Sequence, residues 1–246
     1  MKKTQQILTL VLSLGFIAVF AAWFWILPDA DESTVERRHL AKSPALSFSS
    51  VANGSFMNGF ENYMLDQFPL RNGFRTLKAV ANAKVFMQND NNGLYSVGEH
   101  LSKLDFPTDF DSIDRAAQRF RYVYDAYLRN SGTKTYLSVI PDKNTFIASQ
   151  NGYPDKDYKA LVDHLRSGFP EVKYIDISGL LSADDFYYTD SHWRQERIPK
   201  VADEIADKLG AARIGQYEKH DTGVSFHGVY YGQSALPHAP ERFLYL

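Results

Sequence analysis

An almost unbroken apolar run from Ile7 to Leu27 constrains this chain more than any other stretch. At about 1.5 Å per helical residue, some twenty apolar residues cross the hydrocarbon core of a bilayer. A lone segment there must satisfy its own backbone, so the run predicts a helix. Trp23 and Trp25 stand near its outer end, where amphipathic rings favour the interface. Met1-Lys2-Lys3 precede the run, and Pro28, Asp29, Asp31 and Glu32 follow it. The positive-inside rule therefore predicts a cytoplasmic N-terminus and an extracytoplasmic body, single-pass. A cleaved signal peptide is the competing reading, but such a peptide has a shorter apolar region ending in a small-x-small site. Here the run closes on bulky Trp23-Phe24-Trp25-Ile26-Leu27, which favours an uncleaved anchor.

The remaining length is enough for one sizeable domain in a chain of 246 residues. The organisation read from the sequence is an anchor over 1–28, a stalk over 29–50 rich in Ser, Ala and charge, and a folded body over 51–246. A formal net charge of -2 provides no basic field, which excludes nucleic acid as an expected partner. The chain has no cysteine, so disulfides, thiolate zinc sites, a cysteine nucleophile and a lipoprotein anchor are all excluded. Aromatic residues reach 14%, a surplus that mostly fills cores and also suits carbohydrate surfaces.

In the body, Phe56, Phe60, Tyr63 and Met64 recur at helical spacing until Pro69, and a second periodic stretch covers Phe74 to Phe86. Asp90-Asn91-Asn92-Gly93 between two short apolar runs, Val85 to Met87 and Leu94 to Val97, predicts a hairpin. Further on, Phe110–Arg129 reads as a helix, 135–140 as a strand ended by Pro141, and Asp157–Arg166 as a helix. A second strand over 172–177 and a helix from Trp193 to Leu209, disturbed at Pro199, complete the series. Strands alternating with helices predict an α/β fold, a mostly parallel sheet with helices on its faces. Sites in such sheets gather beyond the carboxyl ends of the strands, where Pro141-Asp142-Lys143 and the loop after Ile177 would open.

That second loop leads to Phe186-Tyr187-Tyr188-Thr189-Asp190-Ser191-His192-Trp193. An acid and a histidine two residues apart, leaving one side of a turn, can form a dyad in which Asp190 fixes the His192 tautomer. His192 then serves as a general base. The plainer alternative is that Asp190 caps the following helix and His192 is an ordinary polar residue.

Taken together with other blocks in order, this stretch resembles the DHHW proteins and the AlgX/AlgJ-type alginate O-acetylation proteins, a branch of the SGNH-hydrolase-like group. Asp190-Ser191-His192-Trp193 resembles their D-x-H-W signature, and Glu36 to Ala41 with Pro44 their E-x-R-x-L-A-x-x-P opening. Gly54 to Arg71 resembles a helix ending in D-x-F-P-x-R, and Ile140 to Lys143 a P-x-K strand end. The resemblance covers about residues 35–235. It implies a flavodoxin-like three-layer sandwich and a Ser/His/Asp site for acyl-ester hydrolysis or O-acetyl transfer, often on surface polysaccharides, with no cofactor. Exopolysaccharide assembly proteins become candidate partners. By the same resemblance His192 is the base and Asp190 its orienting acid. Tyr188 and Trp193 shape the loop, and Lys143 supports it.

The departure lies in the nucleophile. Relatives of this kind carry their serine on a strand-to-helix turn after the D-x-H-W block, and here the nearest substitutes are Ser234, in Gly232-Gln233-Ser234-Ala235 after the β-like run Val229-Tyr230-Tyr231, and Ser225. With two strands after residue 110 and a candidate third at the very end, and with an apolar close, Phe243 to Leu246, the body reads as incomplete, as a C-terminal truncation would leave it. Two rival readings stand beside the enzyme. One is a non-catalytic glycan-binding or assembly module without the serine. The other is a metal site in which His220, His227 and His238 join Asp190 and His192; their spacing fits no standard ligand motif, and no metal is expected.

Overall fold

The computed structural model describes residues 2–246, which build helices and four two-stranded sheets. They divide into two compact units, one ending at Phe86 and one running from Met87 to Leu246.

In the first unit the apolar run is a continuous helix, α1 (Lys2–Ile26), long and apolar enough to cross a membrane. Two short strands follow, β1 (Glu32–Ser33) and β2 (Arg38–His39), paired antiparallel. Helices α2 (Phe48–Ala52), α3 (Ser55–Gln67) and α4 (Arg71–Lys84) complete the unit. α3 stops just before Phe68-Pro69, where the proline forbids its residue i−1 the helical region. The segment 29–50 is pinned along α3 by side chains. The Tyr63 hydroxyl donates to Asp29 at 2.8 Å, and the Gln67 amide donates to the carbonyls of Ala30 and Ala41 at 2.9 and 3.1 Å. Asp66 accepts the Ala41 N–H at 2.9 Å and both Arg38 guanidinium nitrogens at 2.5 and 2.8 Å. Glu36 pairs with Arg71, and with Arg75 at 3.2 Å. Two separate sequence blocks, the Glu36 to Pro44 opening and the helix ending Asp66 to Arg71, thus meet in one ion-pair network. The Arg38 guanidinium pulls the Asp66 carboxyl down to about 2, the expected direction for an acid held by a charged donor.

The second unit opens on a hairpin of β3 (Leu94–Val97) and β4 (His100–Lys103), with Val97 opposite His100. Its two-residue loop is Gly98-Glu99, and Gly98 has φ 56°, the left-handed region that mirror-type hairpin turns require. This corrects the hairpin expected across Asp90 to Gly93. Those residues do turn, with the Gly93 N–H on Asp90 Oδ1 at 2.9 Å, but they lead into β3 and do not join two strands.

α5 (Phe110–Val123) continues through a wider turn to Leu128. Next come β5 (Tyr136–Leu137), α6 (Asn144–Ile147), α7 (Tyr158–Gly168) and β6 (Lys173–Tyr174). β5 and β6 pair in parallel, Tyr136 with Lys173 and Leu137 with Tyr174, so the expected crossover unit is present. Its strands are shorter than the runs 135–140 and 172–177. Ile175 and Ile177 leave the ladder and pack with Leu181 and Val201 in a core that also takes Tyr136, Phe146 and Trp193. The sheet is this single parallel pair. α8 (Pro199–Leu209) begins at the proline that was expected to interrupt it, because Pro fits the first helical position, where no N–H bond is needed.

β7 (His220–Phe226), α9 (Val229–Ser234) and β8 (Glu241–Tyr245) close the unit. β8 is the expected last strand, but it pairs antiparallel with β7, Phe226 opposite Glu241, apart from β5 and β6. The run Val229-Tyr230-Tyr231, read as β-like, is helical, and Tyr230 packs on Leu94 and Leu101 of the hairpin.

Candidate active site

Residues 186–193 form a closed loop. Phe186 and Trp193 bridge its ends, and the Tyr187 N–H donates to the His192 carbonyl at 3.0 Å. Within it, His192 Nδ1 lies 2.6 Å from Asp190 Oδ1, and the same oxygen accepts the His192 backbone N–H at 3.1 Å. The dyad expected from spacing is therefore made. A carboxylate on Nδ1 holds the proton there and leaves Nε2 as the lone-pair nitrogen. Asp190 is buried while the His192 side chain is 79% exposed, so the carboxylate is fixed and the imidazole is open. Asp190 Oδ2 accepts the Val229 N–H at 2.8 Å, from the start of α9. Burial by itself would raise the Asp190 carboxyl, but the bonds from Val229 and His192 outweigh it and hold the group below its usual value.

The loop is gripped from two sides. Lys143, fully buried after the β5 strand, donates to the carbonyls of Tyr187, Tyr188 and Asp190 at 2.9, 3.0 and 2.9 Å. Three ammonium hydrogens meet three acceptors. Burial pushes this ammonium down to about 8, with the carboxylates of Glu241, Asp190 and Asp142 pulling the other way. On the amide side, Glu241 of β8 accepts the N–H of Tyr188 at 2.5 Å and both the N–H and hydroxyl of Thr189 at 2.7 Å. Arg194 closes this corner, donating to Glu241 at 3.1 Å with its guanidinium 4.3 Å from the Tyr188 ring centre.

Gly228 lies so close to the loop that a Cβ there would come within 2.2 Å of the Thr189 carbonyl oxygen and 2.5 Å of Asp190 Cβ. Its N–H donates to Thr189 Oγ1 at 2.8 Å. Beside His192 a cleft of about 320 Å³ is walled by Ile140, Pro141, Tyr158 and Trp193, with Asp142 and Lys156 at its polar edge. His192 itself lines this cleft.

Asp190, His192, Lys143, Tyr188 and Trp193 thus converge on one loop, and the serines do not. Ser225 is an exposed residue of β7, opposite Arg242 in the ladder. Ser234 is fully buried at the end of α9, where its hydroxyl accepts the Leu236 N–H at 3.1 Å and faces the Tyr231 carbonyl. Among the described residues, neither serine hydrogen-bonds to His192. The three histidines His220, His227 and His238 do not turn their rings to one point either. His220 stacks on Tyr245, His227 meets the His238 carbonyl at 3.0 Å, and His238 meets Ser96 Oγ at 3.1 Å.

No protein-family model matches this chain, and no curated protein matches it at a significant level. A solved structure does resemble it. That structure is a DHHW family protein from Eubacterium siraeum, 16% identical, with 63% of this chain aligned at a TM-score of 0.49. The chain spans 55% of that protein's length.

Sequence reasoning missed Glu241, Arg194, Thr189 and Gly228. Glu241 sits more than fifty residues from Tyr188 and Thr189, whose amides it grips, in a stretch with no local motif. Gly228 was visible only as a glycine near Ser225, and nothing local signals its contact with Thr189.

Proposed function

We propose that this chain is a membrane-anchored, extracytoplasmic SGNH-like protein whose Asp190–His192 dyad is the general base of acyl-ester chemistry. The chemistry is hydrolysis of, or acetyl transfer to, a cell-surface polysaccharide. The observation that carries the reading is the 2.6 Å bond between Asp190 and His192 Nδ1, with Asp190 itself oriented by Val229 and the exposed His192 ring lining the cleft. A base so arranged takes a proton from a hydroxyl at Nε2 as that oxygen attacks a carbonyl carbon, and returns it to the leaving oxygen. Lys2 and Lys3 before the apolar run and the acidic Asp29, Asp31 and Glu32 after it support, by the positive-inside rule, a body outside the cytoplasm. The three-layer sandwich and the AlgX/AlgJ-type specificity belong to this proposal, as do exopolysaccharide assembly partners.

One observation favours a second reading. Ser234 is committed to its own helix end and Ser225 to an exposed strand, so a glycan-binding or assembly module that uses the loop without covalent catalysis is the alternative. The test is purified full-length chain in nanodiscs, assayed with chromogenic acetyl esters and acetylated polysaccharide, and probed with a serine-directed fluorophosphonate. Catalysis predicts turnover that falls by roughly 10²–10⁴-fold in His192→Ala and Asp190→Asn, the range of a lost general base. Absence of turnover and of labelling, with polysaccharide retained on the protein, would leave the binding module.

A further inference from the structure

The first unit carries an apolar surface beside α1 that no other part of the unit covers. Phe24 of α1 packs edge-on against Tyr63 at 5.3 Å, and Phe20 stacks on Phe68 at 5.4 Å. As α1 goes from residue 24 back to residue 20, its partner on the other strand of chain goes forward from 63 to 68. α3 therefore runs antiparallel alongside the end of α1, and the turn Phe68-Pro69-Leu70 lies level with Phe20. Phe74, one turn into α4, meets the same Phe20 ring at 5.6 Å.

Depth follows from α1. Phe20 is three residues inward of Trp23 and five inward of Trp25, the rings that mark the interface, hence roughly 5–8 Å beneath them at helical rise. If α1 spans the bilayer, whatever packs on Phe20 lies beneath the interface too. The residues around that turn are the ones such a position requires. Leu65 and Leu70 are each 61% exposed, and Leu70, Phe74 and Leu77 form one stripe at i, i+4 and i+7. Leu70 holds a left-handed backbone at φ 56°, a conformation usually given to glycine or asparagine, and it turns a bulky apolar side chain outward. Of the charges nearby, Asp66, Arg71, Arg75, Arg38 and Glu36 pair with one another, and the exposed Lys78 next to Leu77 has a stem long enough to carry its ammonium to the headgroups.

From this we infer that the α3–α4 turn is a lipid-seated wedge. Leu65, Phe68, Leu70 and Phe74 sit at the headgroup–acyl boundary of the outer leaflet beside α1, so the first unit holds the membrane by a helix and by an interfacial hairpin. The inference rests on the reading of α1 as a membrane span. Its partner is the bilayer itself.

Because the chain has no cysteine, single labels report cleanly. Full-length Leu65→Cys, Leu70→Cys, Asn72→Cys and Phe16→Cys variants are each labelled with an environment-sensitive fluorophore. They are reconstituted into phosphatidylcholine–phosphatidylglycerol vesicles containing lipids spin-labelled on the acyl chain. Asn72 is exposed on the opposite face of α4 and serves as the reference. The expected result is blue-shifted, strongly quenched emission at 65, 70 and 16, and weaker quenching at 72. Quenching at 16 with none above the reference at 65 and 70 would overturn the wedge and leave the anchor standing. No quenching at 16 would overturn the anchor, and the wedge with it. Using both Leu65 and Leu70, each checked by circular dichroism, keeps the outcome readable if one variant misfolds.

Discussion

At the scale of single residues, the least replaceable position near the dyad is a glycine. Gly228 has an ordinary φ of -73°, so its need is not conformational freedom but closeness. A methyl group there would overlap the Thr189 carbonyl at 2.2 Å, and that oxygen is backbone already bonded to the Tyr230 N–H. Gly228→Ala is therefore expected to cost about 1–3 kcal/mol, as overpacking does, and to move Asp190 away from Val229. Thermal unfolding reads the first effect, and loss of amide-exchange protection at Val229 reads the second. Asp190 contributes a pH dependence of known sign. Its folded pKa is lowered, so its stabilisation is complete above the unfolded value of about 3.9 and is lost as pH falls through the folded value. The gap in urea midpoint between the wild type and Asp190→Asn should be constant near neutrality and close progressively below about pH 4. A gap that widened on acidification would contradict the hydrogen-bond geometry.

Among elements, the loop 186–193 is held by two others that reach it from far along the chain, Lys143 on its carbonyls and Glu241 of β8 on its amides. Removing one partner of a buried polar contact costs about 1–3 kcal/mol because the group left behind is desolvated and unpaired. Lys143→Met abandons three carbonyls and should lower Tm more than Glu241→Gln, which keeps one acceptor for Thr189. Hydrogen exchange separates them further, since only the glutamine variant should expose the Tyr188 amide selectively. The same loop shows where sequence was informative. Two-residue spacing was enough to pair Asp190 with His192, and Pro141-Asp142-Lys143 pointed to the lysine. Helices were legible from period and caps, as with α7 behind Asp157, whose side chain accepts the Ala160 N–H at 2.8 Å. The small ladders were not, because β5 and β6 are two residues each and β-rich composition continues past them into core contacts at Ile175 and Ile177. Val229 to Tyr231 was misread for a tertiary reason. Its amides are taken up by Asp190 and Thr189, which favours a helical start over the strand that its branched and aromatic side chains suggest.

For the whole molecule, the division at Phe86 assigns every group that shapes the dyad to one unit. Lys143, Arg194, Gly228, Val229 and Glu241 all lie between Met87 and Leu246, and so do the hairpin residues Leu94 and Leu101 that support α9. A fragment starting at Met87 should accordingly retain the Asp190–His192 bond. Its signature is a downfield Nδ1 proton resonance of His192, together with slow exchange at Thr189 and Val229. The full chain shortened by its last six residues should behave in the opposite way, even though the cut is almost fifty residues from His192. It loses Glu241, frees the Tyr188 and Thr189 amides, and removes the ladder partner of β7. If the Met87 fragment lost the His192 signature and the shortened chain kept it, the grip by Glu241 would not be what holds the loop. Loss in the shortened chain alone would show that the dyad, although made of residues two apart, depends on a contact that spans half a hundred residues.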